Sequence, residues 1–325
     1  MMEKDLDIND NGILLDVKNL TIGIKGRKKD LILVENFSIE VRRGQVVAMA
    51  GESGCGKSMV CKGLLGILPD GIEILSGSII YNGKEIKTEK DLKEIRGKDV
   101  NMIFQEPVSA LHPLKKIGRQ IGEGLKIHSK FNDQDIKNKV LQVMKSVGIN
   151  NPQKRYNQYP HQLSGGLCQR VVIAMAIINN PKLIIADEPT TSLDVTVQAK
   201  ILKLLKDLNR EKKTSIIFVS HDLAVLSQIG ERINIMYCGE IVEENSTKEI
   251  FTNPKHPYTK DLLSSIPEIG KEYLRPIRGS VPIPEEYPVL CKYKDRCEEK
   301  FCSCESIKPK LVEVKDGKVR CLKFE

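Results

Sequence analysis

The chain has 325 residues, enough for one large α/β domain with a smaller appendage and too many for a disulfide-stapled miniprotein. With 40% hydrophobic and 29% charged residues it has the composition of a folded protein, which excludes a disordered, collagenous or coiled-coil chain. The net charge of +8 (51 basic against 43 acidic residues) is spread along the chain with no Trp to stack bases, so it reads as solvated surface and argues against nucleic acid as a partner.

The opening MMEKDLDINDNG is polar and acid-rich, with neither a basic n-region nor an apolar h-region, and predicts a cytosolic setting. ILLDVKNLTIGI, LILVENFSIEV and QVVAMAGESG read as strands. SMVCKGLLGIL is apolar at helical spacing and meets Pro69, Asp70 and Gly71, a stop signal. SGSIIYNGKEI predicts a strand pair turning at Asn82 and Gly83. From about residue 107 to 165 amphipathic segments such as IKNKVLQVMKSVG predict a mostly helical insert. QRVVIAMAIINN, KLIIADE, VTVQAKILKLLKDLNREKK and TSIIFVS then alternate helix and buried strand, the pattern of parallel βαβ units. The longest apolar run, Val171 to Ile178, is far short of the roughly 20 residues that span a bilayer. After about residue 250 prolines multiply and periodicity fades, which predicts an irregular extension. The expected fold is α/β, with one domain over 1–250 and an appendage over 251–325.

Three motifs carry chemistry. GESGCGKS, comprising Gly51, Glu52, Ser53, Gly54, Cys55, Gly56, Lys57 and Ser58, fits the phosphate-binding loop G-x-x-x-x-G-K-[ST] between a strand and a helix. Its backbone N–H groups would cradle phosphates, Lys57 adds a point charge, and the Ser58 hydroxyl can ligate Mg²⁺. KLIIADE delivers Asp187 and Glu188 to the C-terminal edge of a buried strand, where open parallel sheets bind ligands. Asp187 suits the magnesium shell and Glu188 the polarising of an attacking water. LSGGLCQR sets Ser164, Gly165 and Gly166 ahead of a helix, a second anion-facing helix start. Two such starts are redundant for one nucleotide.

With LSGG, a P-loop and the acidic pair, the sequence resembles the ATP-binding cassette (ABC) ATPases, in which the second loop serves a partner's nucleotide. The resemblance covers about residues 13 to 325 and implies a P-loop NTPase fold with an antiparallel β subdomain and a helical subdomain over about 107–165. It implies that Gln105 is the Q-loop residue that senses magnesium and the attacking water. It implies that SLD, Ser192 to Asp194, is the D-loop whose Asp contacts across the dimer, and that His221 is the switch histidine reaching the γ-phosphate. Taken singly, Gln105 could be a polar strand end, Asp194 a helix cap and His221 a loop residue. One departure is Ile24, which stands where the family stacks an aromatic on adenine, so the base would meet apolar contact only.

YPHQLSGG, EPTTSLDVTVQA, HPYTKDLLSSIP and VPIP narrow the resemblance to the peptide/nickel import ATPases, particularly the dipeptide and oligopeptide members. That implies MgATP hydrolysis in a head-to-tail cassette dimer at the cytoplasmic face of the membrane. It also implies a second, paralogous ATPase in a heterodimer, two transmembrane permease subunits and an extracytoplasmic substrate-binding protein. A nickel importer is the alternative reading, since CKGLLGILPDG also looks like nickel-transport ATPases. A soluble ABC ATPase not coupled to transport is the alternative of another class. A DNA-repair ATPase needs a long coiled-coil insertion, whereas 104 residues separate Ser58 from Leu163.

Five of the nine cysteines fall in the last 35 residues, and Cys291, Cys297, Cys304 and Cys321 are spaced as loop ligands in a reducing compartment. Four thiolates can take zinc or an Fe–S cluster, and spacing does not choose. Resemblance to the peptide importers implies a structural [4Fe–4S] cluster; Cys302 rivals Cys304 as the third ligand.

Overall fold

The computed structural model describes residues 12–191, 194–266 and 276–325. Two compact units form, one from the residues up to 42 with 46–87 and 218 onward, the other from 43–45 and 88–217.

The first unit opens with the long antiparallel pair β1 (Ile13–Ile24) and β2 (Leu31–Arg42). The side chains of Leu15, Val17, Leu20 and Ile22 on β1 and of Val34, Phe37, Ile39 and Val41 on β2 are buried, giving the sheet one apolar face. β3 (Val46–Ala50) is buried at every residue and runs into the P-loop, which α1 (Lys57–Leu64) follows. α1 ends four residues before the last apolar residue of the predicted helix, because Gly66 (φ +62) closes a Schellman motif: its N–H donates to Gly63 O and that of Ile67 to Lys62 O. β4 (Glu73–Tyr81) pairs with β1 on one side and β5 (Lys84–Glu85) on the other. Asn82 and Gly83 both take positive φ, the two-residue turn that Asn-Gly favours.

The second unit starts at α2 (Glu89–Ile95), whose Thr88 and Asp91 form a capping box, a signal absent from the sequence reading. β6 (Val100–Ile103) is fully buried. The expected helical insert contains α3 (Ile117–His128), α4 (Asp133–Ser146) and α5 (Pro152–Tyr156). α6 (Gly165–Ile177) is apolar nearly all round and leads to β7 (Leu183–Asp187), which pairs in parallel with β6 from Val100↔Leu183 to Ile103↔Ala186. α7 (Val195–Lys212) and β8 (Ser215–Val219) complete the βαβ alternation, and the last residues of β8 pass into the first unit.

There the chain adds α8 (Leu223–Ile229), β9 (Arg232–Tyr237), β10 (Glu240–Ser246), α9 (Thr247–Thr252) and α10 (Pro257–Ser264). β9 lies parallel to β3 and turns through Cys238 and Gly239, both at positive φ, into β10. The extension is less irregular than its prolines suggest: β11 (Val312–Val314) and β12 (Gly317–Val319) form a hairpin, and β12 pairs with β10 at Glu243↔Val319. Ion pairs fasten it further. Lys292, 7% exposed, reaches Glu35 on β2 at 3.0 Å and donates to Cys238 O at 2.9 Å. Burial alone raises the Glu35 pKa, yet the bonds from Lys308 and Lys292 outweigh it and hold the carboxyl down at about 2. Among the described residues no helix is long and apolar enough to cross a membrane.

Candidate active site

In the first unit the P-loop folds as its glycines require. Gly51 has φ +152, and a Cβ there would stand 2.3 Å from Met236 O and 2.8 Å from the Cys55 sulfur, so only glycine fits. Gly56 takes φ +103 as the N-cap of α1 and leaves the helix start without a side-chain cap or an acidic residue in its first turn. Nothing lies within 4 Å of where a Gly54 Cβ would be, so the loop's rim is open. Lys57 is 4% exposed and folds back on the loop, its Nζ donating to Gly51 O at 2.7 Å and Glu52 O at 2.9 Å. Uncapped N–H groups, a buried ammonium and an open rim fit polyphosphate, with Ser58 opening the helix behind them. Cys55 is fully buried and burial pushes its thiol pKa up, which suits a packing role.

His221 follows β8 in the same unit. The N–H of Ser220 donates to Met49 O at 3.1 Å, which sets this loop beside the strand that feeds the P-loop. Asp222 caps α8 by accepting from the Ala224 and Val225 N–H groups, so the turn presenting His221 is fixed by its neighbour. Ile24 ends β1 at 39% exposure.

In the second unit Asp187 closes β7 at 2% exposure and Glu188 follows at 7%. Glu188 adopts φ +46, a left-handed conformation costly for a side chain with a Cβ and common at functional sites. One of its carboxylate oxygens accepts from Gln105 Nε2 at 3.2 Å and from Thr191 Oγ1 at 2.9 Å. The structure therefore brings together two residues 83 positions apart that the sequence assigned to one reaction, and adds Thr191, which it did not foresee.

Ser164 is the N-cap of α6, yet its side chain makes no capping bond; Ser164 and Gly165 are exposed and no atom lies within 4 Å of a Gly165 Cβ. A Cβ at Gly166 would meet Val197 Cγ1 at an ordinary 3.7 Å. Gln169 Nε2 donates to Pro189 O at 2.7 Å, tying α6 to the turn after Glu188. Asp194 caps α7 by accepting from the Val197 N–H at 3.0 Å, whereas Ser192 and Leu193 of the D-loop lie outside the described residues.

Cys291, Cys297, Cys304 and Cys321 line one cavity of about 20 Å³ with His256 and Tyr293. Cys302 is exposed and does not line it, which favours Cys304 as the third member of the group. Burial pushes the Cys291 and Cys297 pKa values up to about 11, so their environment favours neutral thiols or thiolates neutralised by a cation. Thiolates are soft donors of the kind thiophilic metals prefer, but among the described residues no three His, Cys, Asp or Glu are placed to hold a metal ion.

The first unit's loop also has anchors that the sequence reading missed. Tyr258, from the HPYT motif, accepts from the Glu52 N–H at 2.9 Å, and Arg296 binds the Glu52 carboxylate with two nitrogens at 2.7 and 3.0 Å. The only sequence hint was HPYT itself, in which His256 caps α10 and Pro257 starts it.

A P-loop set between β3 and α1, an acidic pair at the end of β7 and a glycine-opened α6 define an ATP-binding cassette ATPase. The ABC transporter family matches residues 34–191, and the oligopeptide/dipeptide transporter C-terminal region matches residues 242–304. The chain is 41% identical over 318 residues to the oligopeptide transport ATP-binding protein AppD of Bacillus subtilis, covering 96% of this chain and 97% of that one. It is 42% identical over 312 residues to the dipeptide transport ATP-binding protein DppD of Haemophilus influenzae, covering 95% and 94%. Its fold resembles a dimeric ATP-binding cassette solved in a post-hydrolysis state with ADP and Pi (TM-score 0.65, 29% identity, 72% of this chain and 99% of that chain). The chain belongs to the ABC transporter ATP-binding proteins, in the oligopeptide/dipeptide branch.

Proposed function

We infer that the chain is the ATP-hydrolysing, peripheral subunit of an ABC importer for dipeptides or oligopeptides. The observation that carries the hydrolytic part is Glu188, held in a left-handed backbone by β7 and oriented by Gln105 and Thr191. Such a carboxylate is suited to position and polarise a water, and phosphoryl transfer needs a positioned nucleophile more than covalent chemistry. Gly51 to Ser58 cradle the phosphates and His221 reaches toward the γ-phosphate. Ser58, Gln105 and Asp187 would hold Mg²⁺, which when bound neutralises charge on the β- and γ-oxygens. Ser164, Gly165 and Gly166, free of capping duty, serve the nucleotide of a second cassette, and Asp194 faces across that dimer. ATP binding then closes two cassettes and hydrolysis reopens them, moving a membrane permease.

The second cassette is a paralogue in a heterodimer, and an extracytoplasmic binding protein delivers cargo to two permease subunits. In this division of labour residues 1–250 are the cassette, with the helical subdomain over about 107–165, and 251–325 are the extension. The cargo reading is tested by uptake of labelled dipeptide and of labelled nickel in cells with and without the chain. Peptide uptake alone should fall and be restored by the wild-type gene. A fall in nickel uptake alone would replace the cargo, and a fall in neither would remove the importer reading.

Cys291, Cys297, Cys304 and Cys321 are proposed to hold a [4Fe–4S] cluster that braces the extension; their meeting at one cavity supports it. Protein purified without oxygen should be brown and carry iron and sulfide. Colourless protein with stoichiometric zinc would refute the cluster.

A further inference from the structure

The residues between the first two thiols of the cavity also grip the P-loop. Lys292, Tyr293 and Arg296 lie between Cys291 and Cys297. The Arg296 side chain is 6% exposed and forms the two-nitrogen pair with Glu52, the second residue of the P-loop. Its Nε donates to Arg278 O at 2.6 Å, and its guanidinium lies 5.7 and 5.9 Å from the Tyr237 and Tyr293 ring centroids. Three different elements therefore hold the guanidinium in one orientation, which a loop serving only as a surface cover does not need. Tyr293 lines the thiol cavity and packs its ring against that of Tyr258, centroids 5.2 Å apart and planes tilted by 57°, and Tyr258 accepts the Glu52 N–H. Both the backbone and the carboxylate of Glu52 are thus held by the extension, while Glu52 O receives Lys57. Tyr287 adds a weaker contact, its hydroxyl donating to Gly54 O at 3.5 Å.

We propose that Arg296 is a positioning residue of the nucleotide site: through Glu52 it sets the P-loop for phosphate, and because its segment walls the thiol cavity, the state of that cavity reaches ATP affinity by this route. The proposal rests on the nucleotide reading of the P-loop. It requires no particular occupant of the cavity, only that displacing Cys297 displaces its neighbour Arg296. A bidentate guanidinium–carboxylate pair is strong and directional, and removing one partner leaves the other charge partly buried without its mate.

The test is a set of equilibrium binding and steady-state measurements on the full chain with a fluorescent ATP analogue and with MgATP. Arg296→Gln should raise the ATP Kd and KM roughly tenfold, with kcat at saturating ATP changing far less. Arg296→Lys should recover only part of the affinity, because an ammonium keeps the charge and loses the fork. Glu52→Gln should reproduce the loss, and the Arg296→Gln/Glu52→Gln double variant should be no worse than either single. Cys297→Ser should weaken ATP binding in the wild-type background and add nothing in the Glu52→Gln background. A global loss of stability with ATP affinity intact, additive losses in the double variant, or a Cys297→Ser effect that persists without Glu52 would each overturn the proposal. Should Arg296→Gln fail to fold, the Glu52→Gln and Cys297→Ser pair decides it, since both changes are nearly isosteric. Lys57→Ala separates the two readings: if it leaves ATP binding intact, the nucleotide assignment of the loop fails and not merely the role of Arg296.

Discussion

Glu188→Gln is expected to bind MgATP as well as the wild type and to hydrolyse it at least about a hundredfold more slowly, the scale on which a positioned general base acts. The substitution keeps the length and planarity of the side chain. The glutamine oxygen still accepts from Gln105 Nε2 or Thr191 Oγ1, so the cluster that orients the group survives. Lost is the second carboxylate oxygen as a base, and with it the polarisation of water. The left-handed backbone at φ +46 is common to both proteins, so the strain stored there does not differ between them. Single-turnover hydrolysis with enzyme in excess isolates the chemical step from nucleotide release, and equilibrium binding runs beside it. Undiminished single-turnover hydrolysis would remove Glu188 as the base and transfer the role to another group. In a dimer that closes on ATP, the slow variant should also accumulate as a nucleotide-bound dimer, which size-exclusion chromatography with MgATP detects.

Much of this architecture is legible in the sequence because its parts are local. The P-loop, Asp187 with Glu188, and LSGG each sit at a junction of strand or loop with helix, and the junction dictates the residue types. The Asn82–Gly83 turn is likewise written in two residues whose backbones tolerate positive φ. What escapes is set by distant contacts. Nothing in SMVCKGLLGIL announces that Gly66, and not Pro69, ends α1, because both are stop signals and only the backbone bonds to Lys62 and Gly63 choose. β9 and β10 carry no motif, and β12 is too short to read as a strand until β10 offers it an edge. Arg296 is the sharpest case: it is one basic residue in a lysine-rich tail, and its meaning comes from Glu52, 244 positions earlier in the chain.

Lys57→Ala is expected to abolish measurable MgATP binding, a larger effect than that of Arg296→Gln, because Lys57 serves both the loop and the phosphates. Its Nζ is buried and held by Gly51 O and Glu52 O at 2.7 and 2.9 Å, so the ammonium stands in the loop before any ligand arrives. Each charge-assisted hydrogen bond it makes is worth roughly 1.5–3 kcal/mol, and every 1.4 kcal/mol is about a tenfold change in affinity. A thermal-shift titration reads the result directly. MgATP at about a hundred times its Kd should stabilise the wild type by roughly 2.7 kcal/mol through mass action, whereas the variant's melting temperature should not respond. Without ligand the variant should melt slightly lower, since two loop carbonyls lose a donor. Lys57→Arg should restore that ligand-free stability better than it restores ATP binding: a planar guanidinium can reach the two carbonyls, yet it is too bulky to act as a point charge in a pocket shaped by glycines. An ATP-induced shift preserved in Lys57→Ala would mean that the nucleotide binds away from this loop, and that the lysine is only a strut of it.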